Sequence, residues 1–263
     1  MKVTYILHSS FLLETDNCTL LFDYYDGNCP AIRPDKPLFV FASHGHHDHF
    51  SEKVFEIPGP DAGVHYILSD DIEEDEVPGF AGQRDIIFAG PYRKIEFYKG
   101  SDNSMLAHRN VEWGEGGRDC GGECTGGAEA FLSVRTLKSN DLGVAFIIET
   151  DGLKIYYAGD LNNWWWEGDE EDRKLADLYH EELRRIEGMK FDAAFIPLDP
   201  RIKGYELGIE DFLGYCDARR IFPMHMWGKY GITEQLLGRP EAGDLAEKIV
   251  RIEREGQEFY VYI

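Results

Sequence analysis

The chain has 263 residues, 43% hydrophobic and 13% aromatic, enough for a large core and too apolar for a disordered chain. Its 49 acidic against 27 basic residues give a net charge of -22, a field that repels phosphate backbones and anionic membranes and argues against nucleic-acid and membrane partners. No apolar run approaches the roughly 18 residues of a membrane span, and the start MKVTYILHSSF turns polar too soon for a signal peptide. Five cysteines (Cys18, Cys29, Cys120, Cys124, Cys216) are not the arithmetic of a disulfide-stapled secreted domain, so a cytoplasmic chain with reduced thiols is expected.

In chain order, β-branched and aromatic runs predict strands over Val3 to Leu7, Phe11 to Glu14 and Thr19 to Tyr24, the last two separated by the turn Glu14-Thr15-Asp16-Asn17. A loop from Asp26 to Lys36 leads into the apolar run Pro37-Leu38-Phe39-Val40-Phe41-Ala42. That run empties into His44-Gly45-His46-His47-Asp48-His49, and Ser51 with Glu52 predicts a short helix just beyond it. Val64 to Leu68, Asp85 to Phe88, Arg93 to Tyr98 and Met105 to His108 read as strands, and the acidic stretch Asp70 to Glu76 as a solvated face. Residues 113–127 are too glycine-dense for regular structure and read as a surface-loop insertion. Cys120 and Cys124 within it lack the two further neighbours a zinc site needs.

Strands resume over Ala130 to Leu137, Val144 to Glu149 and Lys154 to Ala158, the last two joined by the tight turn Thr150-Asp151-Gly152. Leu175, Leu178, Tyr179, Leu183 and Ile186 have helical spacing within Glu170 to Glu187. A strand (Phe191 to Ile196), a helix (Ile209 to Cys216), a strand (Arg220 to Pro223), a helix (Leu245 to Glu253) and a closing strand (Phe259 to Ile263) follow. This order fits one α/β (α+β) domain over residues 1–263, with two mixed sheets face to face and helices on the outer faces. Ligands at strand ends would then line one edge of the sandwich.

The histidine loop reads H-x-H-x-D-H, four potential metal ligands in six positions. Two more candidates close downstream strands: Asp160 in Ala158-Gly159-Asp160-Leu161-Asn162 and His225 in Phe222-Pro223-Met224-His225. A plain polar surface loop would account for the first four alone, but not for their agreement with Asp160 and His225. His47 lies outside the ligand spacing.

With the strand-ending Asp23, these motifs resemble the metallo-β-lactamase superfamily of metal-dependent hydrolases. Within it, the opening ILHSSFLLET and the stretch from GVAFIIET to IYYAGD resemble the branch that includes ascorbate-6-phosphate lactonase. The resemblance implies an αββα sandwich with up to two divalent metals at one edge. It implies that His44 and His46 bind the first metal, that Asp48, His49 and His225 bind the second, that Asp160 bridges them, and that Asp23 supports the loop by hydrogen bonds. Such ligands suit Zn²⁺, with Mn²⁺ or Fe²⁺ as alternatives, and the ions would lower the pKa of water from ~15.7 to about 7. Asp48 would orient that water or carry its proton.

The family's third histidine for the first metal has no counterpart in Arg135 to Asp141, where Lys138 is the nearest match. An inward ammonium there would replace the first cation and pair with Asp160. Alternatively Ser139, Asp141 or water completes a second metal, or the site is catalytically weakened; one tight metal and one weak or absent metal is the expectation. Three further residues are candidates for substrate contact, each with a plainer account: His8 as a structural histidine, Trp164 as core or lid packing, and Asp199 as the internal partner of Arg201. The expected function is hydrolysis of a small-molecule ester, lactone or phosphoester. The alternatives are a metal-binding sensor without turnover and a nuclease of the same superfamily.

Overall fold

Two-sided burial explains the uninterrupted apolar run before the histidine loop. In the computed structural model, which describes residues 1–57, 63–79, 85–99, 105–113, 130–243 and 245–262, that run forms β4 (Leu38–Ala42). It lies within a sheet that also contains β1 (Lys2–Leu7), β2 (Ser10–Glu14), β3 (Thr19–Phe22), β5 (Val64–Ser69), β6 (Asp85–Ala89) and β14 (Glu258–Tyr260), ordered β14-β1-β2-β3-β4-β5-β6. Its inner face, with Tyr5, Phe11, Phe22, Phe39 and Phe41, packs into the core between the sheets. Its outer face, with Leu12, Leu21, Leu38 and Val40, is covered by Phe50, Val54 and Phe55. A strand covered on both sides needs apolar residues at every position.

The second sheet runs β13 (Asp217–Met224), β12 (Lys190–Pro197), β11 (Leu153–Tyr157), β10 (Val144–Thr150), β9 (Leu132–Lys138), β7 (Arg93–Lys99) and β8 (Met105–Glu112). Both sheets are mixed: β3 to β6 and β11 to β13 pair in parallel, the remaining strands antiparallel. Aromatic rings join the layers, with Phe22 of β3 stacked on Tyr157 of β11 at 4.4 Å. At the β10–β11 hairpin Asp151 and Gly152 both have positive φ (53° and 73°), the geometry a two-residue turn needs to match strand twist.

Helix α1 (Glu170–Arg185) starts at Asp169, whose carboxylate accepts the amides of Glu171 and Asp172. Together with α2 (Leu207–Tyr215) and α4 (Leu245–Lys248) it covers the second sheet, α2 lying on β12 and β13 and α4 on β13. The sandwich of two mixed sheets with outer helices is therefore the observed architecture. Among the described residues no helix is long and apolar enough to cross a membrane.

Several local expectations need correction. The short helix expected after Ser51 is present as a 3-10 helix (Glu52–Glu56) capped by the Ser51 hydroxyl, whereas other segments depart from expectation. The last predicted helix stops at Lys248, because Ile249 bridges to Ile221 of β13 and extends that edge. Helix α3 (Ile232–Leu237) has six residues, too few for a periodic signal. The acidic stretch is not wholly solvated, since Ile72 is buried and Asp71 accepts the Gly45 amide at 2.9 Å. The glycine-rich insertion, apart from Trp113, lies outside the described residues.

Candidate metal centre

Topology brings the candidate residues to one edge. β1 is two antiparallel steps from β3 and therefore runs the same way, so His8, Asp23 and the histidine loop all follow strands that end on one side. In the second sheet Asp160, Asp199 and His225 follow the parallel strands β11, β12 and β13, and the turn before β10 opens toward the same edge. The carboxyl ends of parallel strands are where such sheets gather ligand-binding groups.

Two glycines let the layers meet there. A Cβ on Gly143 would stand 2.0 Å from the Ser43 carbonyl oxygen, and one on Gly159 would stand 2.6 Å from the Ser43 Cβ. With neither present, the Val144 amide donates to the Ser43 carbonyl at 2.9 Å and ties the second sheet to the residue before His44. His8, Asp23, His225 and Trp227 all have positive φ, between 43° and 62°, a backbone strain that clusters at this edge.

The side chains form two adjoining groups whose ligand atoms lie within 4.8 Å of one another: His8, Asp48, His49 and His225 in one, His44, His46, Asp141 and Asp160 in the other. Asp160 stands between them. Its Oδ1 is 3.2 Å from His49 Nε2 and 3.7 Å from His225 Nε2, while its Oδ2 is 3.6 Å from His44 Nε2. The Asp48 Oδ2 is 3.3 Å from His8 Nε2 and 3.9 Å from His225 Nε2. His46 Nδ1 is 3.7 Å from Asp141 Oδ2.

The remaining imidazole nitrogens are anchored from behind. Asp23, fully buried, accepts the amide and hydroxyl of Ser43 and the Nδ1–H of His49, each at 2.7 Å, and meets the Tyr157 hydroxyl at 2.9 Å. Because the Ser43 hydroxyl donates to Asp23, it accepts from His44 Nδ1 at 3.0 Å. One carboxylate thus orients two histidines, one directly and one through a serine, and turns both Nε2 lone pairs into the site. His225 Nδ1 is held by Asp199 at 2.9 Å, and Asp199 in turn accepts from the Nε and Nη2 of Arg201 and from the Trp227 indole.

Burial, followed by the charge of neighbouring histidines, pushes His44 down to about 4; burial likewise pushes His49 to about 4, with the Asp160 charge only partly opposing it. Both rings are therefore neutral near pH 7, the form that binds a metal. Burial alone pushes Asp23 up to about 6 against the pull of its donors. Burial would also raise Asp48, but its close contact with His8 and the nearby histidines outweigh it and hold the carboxyl well below the usual range. In His225 the order reverses: burial lowers it, yet the carboxylates of Asp160 and Asp199 win and raise it.

The Nε2 atoms of His8, His44 and His49 and the Oδ1 of Asp160 are buried without hydrogen-bond partners. Their separations from neighbouring ligand atoms are mostly too long for good hydrogen bonds. They are close to the edge, about 3.3 Å, of a tetrahedron of donors ~2.0–2.1 Å from a central ion. Neutral imidazoles facing several carboxylates are the donor chemistry of a divalent cation, so the residues fit the metal the motif implies.

Three of the sequence candidates do not line the cleft. Lys138 is exposed, and the position is used through its amide, which donates to Glu182 at 3.2 Å; the group beside Asp160 contains Asp141 instead. Asp199 is fully buried and engaged by His225, Arg201 and Trp227, which is its plainer account as the internal partner of Arg201. His8 is buried beneath the surface beside Asp48 and does not line the cleft. Trp164 does line the cleft, its indole donating to the Asp160 carbonyl at 2.8 Å.

That cleft, about 400 Å³, opens over Asp48, Asp141, Asp160 and His225 and is walled by Trp164, Trp166 and Trp227. Arg201 stacks on Trp227, its guanidinium carbon 4.2 Å from the ring centre. Sequence reasoning passed over Ser43, Tyr157 and Trp227, although each lies within three residues of a motif ligand. Adjacency to the motifs was the available signal.

A family model described as beta-lactamase superfamily domain matches residues 2–178. The chain belongs to the metallo-β-lactamase superfamily. A UPF0173 metal-dependent hydrolase of Desulforamulus reducens is 40% identical over 57 residues, covering 20% of this chain and 25% of that protein. The match thus spans only a quarter of the relative's length. Among solved structures, the metallo hydrolase Igni18 of Ignicoccus hospitalis shares the fold with a TM-score of 0.51 at 17% identity, covering 98% of this chain and 97% of that one. The metallo-beta-lactamase fold protein YhfI of Bacillus subtilis superposes with a TM-score of 0.50 at 12% identity, covering 98% and 99% of the two chains.

Proposed function

We propose that this member of the superfamily is a metal-dependent hydrolase of a small-molecule ester, lactone or phosphoester, the substrate class suggested by its resemblance to the ascorbate-6-phosphate lactonase branch. The observation that carries the reading is the convergence of buried, unpartnered His8, His44 and His49 nitrogens and an Asp160 oxygen beneath an open cleft. A divalent ion in such a donor set supplies water activation near neutral pH and polarises a carbonyl or phosphoryl oxygen. Zn²⁺ is the ion we place first; the carboxylates of Asp141 and Asp160 also suit Mn²⁺ or Fe²⁺.

The chain's own residues divide the remaining work. Asp48 lines the cleft, is held ionised by its histidine neighbours, and is the group we assign to orient the attacking water. Trp166 and Trp227 are each 40% exposed and offer flat apolar walls for the non-reacting part of the substrate. Arg201, already neutralised by Asp199, contributes a stacked hydrogen-bonding edge rather than a free charge. The cleft volume of about 400 Å³ is that of a small-molecule site. The net charge of -22 disfavours the nuclease alternative.

The test is a panel of chromogenic ester, lactone and phosphodiester substrates assayed with added Zn²⁺ or Mn²⁺. Turnover of at least one is expected, lost in His49→Ala and strongly reduced in Asp48→Asn. Turnover that survives His49→Ala would refute the metal mechanism, and tight metal binding with no turnover on any substrate would favour a binding or sensing protein.

A further inference from the structure

His8 comes from outside the histidine motif and from a different strand end, yet it stands among the ligand atoms. Its Nε2 is buried, has no hydrogen-bond partner, and lies 3.3 Å from Asp48 Oδ2. Its ring is 4.2 Å from that of His225 and 5.6 Å from that of His49. The backbone is held at φ 55°, and its carbonyl accepts the His225 amide at 3.3 Å, so the end of β1 is pinned to the residue that ends β13.

A packing role explains neither feature. An apolar side chain would fill the same space without a stranded nitrogen, and a relaxed backbone would cost less than a positive φ at a non-glycine residue. A simple hydrogen bond to Asp48 explains them poorly, because the 3.3 Å contact leaves the Nε2 without a hydrogen-bond partner. The same separation is the expected edge between two donors sharing an ion.

We propose that His8 is a protein ligand of the ion held by Asp48, His49 and His225, with Asp160 adjoining. The assignment rests on the metal-dependent reading above and extends it. The inner ion, the first to bind on reloading, is then closed by protein donors from four strand ends. The outer ion, the second to bind, is held by His44, His46, Asp141 and Asp160; two of these donors, His46 and Asp141, are half-exposed, which makes it the exchangeable one.

The test uses the full chain stripped with chelator and reloaded with one equivalent of Zn²⁺ or Co²⁺. X-ray absorption of the wild-type protein with one Zn²⁺ is expected to count three imidazoles on the ion, from His8, His49 and His225. His8→Asn, chosen because asparagine tolerates positive φ, is expected to weaken the first ion at least tenfold in chelator competition and to alter the Co²⁺ visible bands. Two imidazoles in the wild-type protein, or a His8→Asn protein with unchanged first-ion affinity and Co²⁺ spectrum, would overturn the assignment while leaving the hydrolase reading intact. A wild-type protein that binds neither ion would sink both. If His8→Asn melts well below wild type when metal-free, the imidazole count decides alone.

Discussion

The two halves of the metal centre differ in how their donors are held. In the inner half His8, His49 and His225 are buried, and two of the three rings are fixed from behind by a carboxylate that is itself fully buried. In the outer half His44 is just as buried, but His46 and Asp141 are each 44% exposed and face one another at 3.7 Å across solvent. The Asp141 backbone is steadied by its amide, which donates to the Ser139 hydroxyl at 3.2 Å, but its carboxylate is not. Its neighbour Asn140 donates to the carbonyls of Asn162 and Leu175 at 2.7 and 2.9 Å, clamping the turn to the Asp160 loop and to α1. Preorganised buried donors bind an ion without a further ordering cost, whereas exposed donors must give up rotamer freedom first. The contrast teaches that one motif can serve a tight site and a loose one.

The largest disruption should come from the residue both halves share. Asp23→Ala leaves the Ser43 amide and hydroxyl, the His49 Nδ1–H and the Tyr157 hydroxyl facing an empty acceptor position. Removing one partner from a buried polar set of this kind costs ~3–5 kcal/mol. Denaturant unfolding of the metal-free protein should show that loss, and metal analysis should find both ions depleted. If only one ion were lost, Asp23 would not be the common support.

Next in size is Asp199→Asn, which weakens the grip on His225 alone. Loss of such a supporting carboxylate costs about 10–100-fold in metal affinity. Titration calorimetry should show that loss for the first ion and not the second. An equal loss at both would erase the distinction between the halves.

What the sequence made legible follows from where the ligands sit. His44 to His49, Asp160 and His225 each follow an apolar run that periodicity finds, so predicting the strands already sends them to one edge. Asp141 escapes that logic because it lies in a turn with no period. Its placement depends on β9 and β10 being paired so that their connection opens at the metal edge. Lys138 was misplaced for the converse reason. Alignment by position ignores that the strand carries its last side chain outward and that the inward group comes three residues later. His8 was visible as a strand end, but the strained φ and the stranded nitrogen that give it meaning exist only in three dimensions.

Asp141→Ala should act on the outer half alone. The second ion is expected to bind about tenfold more weakly, while the metal-free protein keeps its stability within ~0.5 kcal/mol, as usual for an exposed side chain. Unchanged binding of the second ion would mean that Asp141 stands near the site without belonging to it.

The smallest expected effect is at Lys138, and it discriminates between two accounts of the outer half. If an ammonium replaced the outer cation, Lys138→Ala would remove the charge balancing Asp160 and leave a buried carboxylate uncompensated, which would appear as lost stability or as newly gained metal. The exposed position of Lys138, with its amide as the group engaged by Glu182, predicts neither. Stability within ~0.5 kcal/mol of the parent chain and an unchanged metal stoichiometry are expected. Because alanine keeps the amide that Glu182 accepts, this substitution isolates the ammonium, and any gain in bound metal would restore the lysine to the site and leave Asp141 without its role.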